Sequence, residues 1–438
     1  MQELSTITTG SLFFTLFLGF LLLVLPRRYA LVPMLISGCY MTLGQVLIIG
    51  GLHFYLIRII ILFGWIRILI RKEIFSIKLA SIDKVLVAWL MASCFLYILF
   101  GETNVETTER LGRVYNTIGI YFFVRAMIRD MDDIVFTVKM FGIIVIPLAV
   151  FFVVEYMTGK NPFSTFGGAP LLSEIRNGRV RCQGPFRNSI LAGTFGATAF
   201  PLFVGLWVHS VRNRFLAGCA ILAATVIVAC ASASGPVVAY LIGIIGLITW
   251  NFRSNMRTIR WGIVITLLAL DVYMKAPIWF LISRLSDVVG GGGWYRAALI
   301  DAAIRHLDEW WLIGTGYTAH WMPTGIAIDP KSADIVNQFI AEGVNGGLLS
   351  MILFIWLIVK CFKTIGKAVR HKESFLFSER FMIWCIGCTV LGHVISFFSV
   401  SYFDQIIIFW YLIIAFIAVL VTSKTLVTIP SDNRLAKQ

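Results

Sequence analysis

Apolar positions in this chain come in long blocks separated by short polar or basic stretches. The blocks lie at 12–25, 31–49, 54–70, 85–100, 111–128, 134–157, 189–208, 215–231, 237–250, 261–282, 347–362, 381–398 and 406–421. A run of about 20 apolar residues crosses a hydrocarbon core of ~30 Å as a helix. The chain lacks the period-two alternation of a membrane β-barrel. The pattern predicts an all-α polytopic membrane protein with about 13 (12–14) transmembrane helices, since block edges are loose by a few residues.

Composition agrees. Of 438 residues, 58% are hydrophobic and 14% charged, where a soluble domain carries about 25% charged residues. Mean hydropathy is +0.86. The N-terminus has no basic region followed by a small-residue cleavage site, so the first apolar block is expected to be retained. The eight cysteines fall mostly in or beside apolar blocks, and only Cys182 lies in a long loop. They do not form a disulfide framework. Cys385 and Cys388 form a CxxC inside a block, where they read as small apolar residues. The net charge of +14 points to membrane orientation, not nucleic acid, because the basic residues occupy short loops.

Those loops alternate. Arg27 and Arg28, then Arg71, Lys72, Lys78 and Lys84, then Arg125 and Arg129, Arg212 and Arg214, Arg253, Arg257 and Arg260, and Lys363, Lys367, Arg370 and Lys372 mark every second connection. The positive-inside bias places these in the cytoplasm with the tail bearing Lys424, Arg434 and Lys437. The loop with Glu102, Glu106 and Glu109 lies outside, the N-terminus outside and the C-terminus inside. Five regions follow: N-terminal transmembrane helices (1–157), an external arginine-rich loop (158–188), central transmembrane helices (189–282), a large external loop (283–346), and C-terminal transmembrane helices with a cytoplasmic tail (347–438).

The 158–188 loop breaks the bias. It carries Lys160, Arg176, Arg179, Arg181 and Arg187 against a single Glu174. Such arginines either hold lipid headgroups or build an anion site. Guanidinium forks match phosphate oxygens bidentately and keep their charge near a membrane. Gly184 and Pro185 shape the turn between them. An outward phosphate site beside the bilayer fits a lipid-linked phosphate or diphosphate.

In the 283–346 loop, Gly290 to Gly293 read as a hinge. A helix is expected from Trp294, with Ala297, Ile300, Ile304, Leu307 and Trp311 as its apolar stripe. Arg305 has Asp301, Asp308 and Glu309 at pairing distance along the helix. Arg296 has no acid at such spacing and is available for a ligand. Gly314 and Gly316 end the helix, and His320 follows between the helix and Pro323 and Pro330. Asp334 and Glu342 near the return to the membrane are candidate general bases, with Asp334 first and His320 and Glu342 behind it. No metal-ligand set is visible in the spacing of histidines, cysteines and acids.

The stretch "RVRCQGPFRNSILAGTFGATAFPL" resembles the signature of the O-antigen ligase/polymerase superfamily of bacterial envelope glycosyltransferases, matching at Arg181, Gly184, Phe186, Asn188 and Gly193. Arg296 with Gly314 and Gly316 is similar to a second block, and "VNQFIAEGVNGGL" to a third. The resemblance covers roughly residues 156–362. It implies an all-helical, GT-C-like bundle with a long external loop in the bacterial inner membrane. It implies transfer of saccharides from undecaprenyl diphosphate, with no cofactor and no metal. Arg181, Arg187, Arg296 and Arg179 would then hold the diphosphate. Ligases open the third block with a histidine, where this chain has Ser332, Ala333 and Asp334. That departure favours a polysaccharide polymerase, which joins a lipid-linked oligosaccharide donor to a lipid-linked acceptor. An O-antigen ligase is the rival enzyme, and a lipid-linked oligosaccharide transporter the rival from another class. Membrane lipids, a chain-length regulator and a flippase of the same pathway are the implied partners.

Overall fold

The structure, a computed structural model, describes residues 5–49, 52–100, 104–288, 293–322, 331–370 and 375–423. Gly290 and its two following glycines, Pro323, Pro330, Lys372 and the tail with Lys424, Arg434 and Lys437 lie outside the described residues. So do the side chains of Glu102, Glu106 and Glu109.

The helices in chain order are α1 (Thr9–Val24), α2 (Leu31–Tyr40), α3 (Leu56–Ile70), α4 (Ser81–Phe100), α5 (Asn104–Met127), α6 (Met131–Thr158), α7 (Ser189–His209) and α8 (Arg214–Ala231). They continue with α9 (Ser234–Ile248), α10 (Met256–Tyr273), α11 (Leu281–Val288), α12 (Trp294–Arg305), α13 (Leu307–Trp310), α14 (Gln338–Arg370), α15 (Phe377–Phe397) and α16 (Ile406–Thr422). Among the described residues five short strands accompany them: β1 (Ser5–Thr6), β2 (Gln45–Ile49), β3 (Leu52–Tyr55), β4 (Glu174–Arg176) and β5 (Arg179–Arg181). Among the described residues, six helical stretches are long and apolar enough to cross a membrane, and Thr9–Val24 and Ile406–Thr422 are shorter apolar helices. The chain is an α-helical membrane protein.

Its centre is α16, in which every residue from Ile408 to Leu420 is buried. A helix apolar on all sides is stable when neighbours cover all sides. Close by, α7 packs among α8, α9 and α15, while α4 lies along α14. No residue of α10 is buried. Its Trp261, Ile265, Leu268 and Val272 are exposed, which suits a helix whose remaining face meets lipid tails.

Three predicted blocks fold differently. The 31–49 run is not one helix: α2 ends at Tyr40 and the chain turns into β2, which pairs antiparallel with β3. Val46, Ile48 and Ile49 favour extended backbone, and buried Gln45 accepts a hydrogen bond from Thr8 N at 2.9 Å. The 261–282 run stops at Tyr273, with Pro277 opening a separate turn at Ile278–Phe280. The 347–362 run is the second half of α14, whose first half starts at Gln338. The two halves meet at non-helical Gly346 and Gly347.

The basic residues assigned to the cytoplasmic end also have structural partners. Arg27 pairs with Asp133 at 2.6 Å. Arg125 pairs with buried Asp83 at 3.2 Å.

Candidate functional site

Asn177-Gly178 folds the arginine loop. Both residues have positive φ, 50° and 72°, the geometry of a two-residue hairpin turn. The turn joins β4 to β5 with Glu174 opposite Arg181 and Arg176 opposite Arg179. This register separates the arginines. Arg176 and Arg179 stand exposed at the tip, and Arg181 is buried at the base. There its Nη1 donates to both oxygens of Glu174, at 3.1 and 3.0 Å, while its buried Nε–H has no acceptor among the described residues. Arg181 is therefore oriented by one acid and keeps a donor for another anion.

A second acid organises the following turn. Glu155, fully buried near the end of α6, accepts from Ser173 Oγ at 2.8 Å, Gln183 N at 3.0 Å and Gly184 N at 2.8 Å. Gly184 has φ +55°, and a Cβ there would lie 2.6 Å from the Phe152 ring. Only glycine meets both conditions. Asn188, part of the resemblance motif, caps α7 by accepting from Leu191 N at 2.9 Å.

The α15–α16 turn gathers the distant parts. Gln405 donates to Pro185 O at 2.6 Å. Arg296 Nε donates to Ser399 O at 3.4 Å. Gln338 Oε1 at the start of α14 accepts from Tyr402 N at 2.5 Å. Burial and the nearby charges of Arg176 and Arg181 lower the pKa of Arg296. Three of the arginines singled out by sequence and resemblance thus converge: Arg181 and Arg296 share one field, and Arg187, half-buried, acts on Asp404 of the same turn. Arg179 is exposed at the hairpin tip, opposite Arg176.

Beside this turn opens a cavity of about 830 Å³, within the usual range for ligand sites. Its lining includes Arg58, Arg110 and Arg113 together with Asp334, Glu342 and Asp404. Burial raises the pKa of Asp334. It also drives the Asp404 carboxyl up against the pull of Arg187, to about 6. Glu342 is buried and accepts from Gln338 Nε2 at 2.6 Å and Trp89 Nε1 at 3.2 Å. Ionisable groups buried in membrane helices are costly and mark function, and Glu342 is such a group in a helix long and apolar enough to cross a membrane.

Of the sequence-predicted residues, Asp334, Glu342 and Gly316 line the cavity, whereas Arg179, Arg181, Arg187, Arg296, Gly184, Pro185, Gly314 and His320 are not among its lining. Sequence reasoning missed Glu155, Asp404 and the helical arginines 58, 110 and 113. Their signal was a charge inside or at the edge of an apolar block.

The 294–311 segment corrects two expectations. Its helix breaks at His306, and the buried residues are Ala297, Leu299, Ala302, Ala303 and Trp310. Of the expected stripe, Ala297 is buried and Ile300 half-buried, while Ile304, Leu307 and Trp311 are exposed. Within α12 the buried face runs through Leu299, Ala302 and Ala303, and the break shifts the helical phase for Leu307 and Trp311. Arg305 pairs with Asp301 at 2.5 Å, as its spacing predicts, but Glu309 turns to the histidines. Gly314, at φ +87°, sits against Val344 O. A metal-capable set also exists, against the expectation from spacing: His306, Glu309 and His320 come together. The pair at i,i+3 was visible in sequence, but the third member arrives only through the fold. No protein-family model, no curated protein and no solved structure matches the chain.

Proposed function

We propose that the chain is a polysaccharide polymerase: a metal-independent glycosyltransferase joining undecaprenyl-diphosphate-linked oligosaccharides on the outer face of a bacterial inner membrane. The observation that carries this reading is the cavity, whose lining includes three arginines and three carboxyl groups, one of them in the turn that anchors the arginine loop. The family resemblance supports it further. On this reading the fold is a GT-C-like bundle with about 13 crossings, α2 and its hairpin completing one of them.

Two lipid diphosphates take part in such a reaction, and two cationic groups are available. Arg181, Arg187 and Arg296 hold the donor diphosphate and stabilise the charge that develops as it leaves. Arg58, Arg110 and Arg113 hold the acceptor. The acceptor hydroxyl attacks the anomeric carbon, its proton passes to a carboxylate, and the lipid diphosphate departs. Each preorganised donor at the leaving group contributes ~3 kcal/mol. Asp404 is the preferred base, because it lines the cavity beside Arg187 and its pKa of about 6 is close to working pH. Asp334, the first choice from sequence, is second. Glu342 already accepts two hydrogen bonds, and His320 is engaged by Glu309 at 2.9 Å.

An O-antigen ligase would share this chemistry with a different acceptor. A transporter would use the same arginines without forming a bond. Deleting the gene and resolving the cell's glycans on a gel separates these readings. Loss of polymer with survival of a single repeat on lipid A supports the polymerase. Loss of both ligated forms supports a ligase. Loss of exopolysaccharide alone supports a polymerase of a dedicated exopolysaccharide system.

A further inference from the structure

We propose that His306, Glu309 and His320 bind one divalent transition-metal ion of the zinc class, and that this ion staples the α12–α13 segment to the loop that forms the cavity rim. The inference rests on the cluster itself and does not depend on the glycosyl-transfer reading.

His306 Nδ1 lies 2.8 Å and His320 Nε2 2.9 Å from the same oxygen, Glu309 Oε1. The ligand atoms all fall within 4.8 Å of one another. Two imidazole nitrogens and one carboxylate oxygen form a borderline-soft donor set suited to zinc, which binds each at about 2.0–2.2 Å. Tetrahedral ligands at that bond length stand about 3.3 Å apart, so each histidine nitrogen needs to draw back from Glu309 Oε1 by only about half an ångström. The exposed position of Glu309 and His320 leaves the fourth site to water.

The donors are held from behind. Glu309 Oε2 accepts from Trp321 Nε1 at 2.8 Å, the kind of outer partner that orients a ligating carboxylate. His306 stacks on Trp321 with an interplanar angle of 8°, and His320 stacks on Tyr317 at 15°.

The staple closes the chain from His306 to His320. Thr315, Gly316 and Thr318 lie between these residues and line the cavity. Metal occupancy therefore fixes one wall of the site without entering it.

The test uses full-length protein without a polyhistidine tag, purified in detergent, stripped with chelator, loaded with zinc and desalted. The expected result is one zinc per chain by elemental analysis, and the visible absorption of a four-coordinate ion when cobalt replaces zinc. Titration against a chromophoric chelator should show affinity falling at least about tenfold in His306→Ala, His320→Ala and Glu309→Gln, and about tenfold in Trp321→Phe, which removes only the outer partner. Zinc should raise the Tm of the unaltered protein and leave that of the His306→Ala/His320→Ala double variant unchanged, both being monodisperse without metal. Equal zinc content in the unaltered protein and the double variant overturns the proposal. So does an affinity that none of the four substitutions weakens.

Discussion

Arg187 and Asp404 act on each other where the arginine loop meets the α15–α16 turn. Burial drives the Asp404 carboxyl up, the Arg187 charge draws it back, and it settles at about 6. The pair joins two regions far apart in sequence, one rich in arginine and one passed over as a short connection. It also places an ionisable group with a near-neutral pKa at the edge of the cavity.

A carboxylate base works only when ionised. With its pKa raised to about 6, Asp404 is protonated below that pH and ionised above it. The polymerisation rate should therefore climb through about pH 6 and level off. Asp404→Asn should remove this acidic limb and lower the plateau by roughly 10²–10⁴, the usual contribution of general-base catalysis. A limb that persists in Asp404→Asn but disappears in Asp334→Asn transfers the role to Asp334.

The arginines should rank by what surrounds them. Arg181→Ala and Arg296→Ala should abolish polymer at matched membrane levels, and lysine should rescue poorly because a point charge cannot make the two-pronged phosphate contact. Arg305 lies exposed with Asp301 at 2.5 Å, a helix-surface pair worth ~0.5 kcal/mol. Arg305→Ala should leave polymer length and yield near normal. Polymer on a gel beside a membrane blot reads all three variants, and the opposite ranking contradicts the site.

Arg113 lines the cavity from α5 and its charge acts on Glu342. If it holds the acceptor diphosphate, Arg113→Ala should raise the acceptor KM by about ten- to a hundredfold, the loss of one charged hydrogen bond of ~1.5–3 kcal/mol. The donor KM should change little. Equal effects on both substrates would place Arg113 in a structural role.

The legible part of this molecule was whatever a local pattern fixes. Blocks such as 189–208 became α7 almost to the residue, because an apolar run capped by Asn188 has one favourable outcome. Arg305 and Asp301 met as helix spacing requires. The 31–49 run failed because apolarity alone does not distinguish a buried helix from a helix followed by a buried hairpin, and only the β-branched residues beside Gly50-Gly51 argued for the latter. The hairpin at Asn177-Gly178 was readable from that dipeptide and was overlooked beside the arginines. Asp404 and Glu155 showed locally only as charges at the edges of apolar blocks, and His306 and Glu309 only as an i,i+3 pair; their roles depend on residues supplied by other elements.

Orientation is testable apart from chemistry. Arg179 at the hairpin tip and Lys367 near the end of α14 are both exposed, and the charge bias puts them on opposite sides of the membrane. In a background with Cys182 replaced, Arg179→Cys should react with an impermeant maleimide in intact cells, and Lys367→Cys should react only after lysis. The reverse pattern removes the external site from the account.

Reconstitution tests the central claim most directly. Purified protein in proteoliposomes, supplied with undecaprenyl-diphosphate-linked oligosaccharide and no added Mg²⁺ or Mn²⁺, should yield a ladder of products longer by whole repeat units, with undecaprenyl diphosphate released at each step. Oligosaccharide that crosses the bilayer with no new glycosidic bond, or a ladder that forms only when Mg²⁺ or Mn²⁺ is supplied, would contradict it.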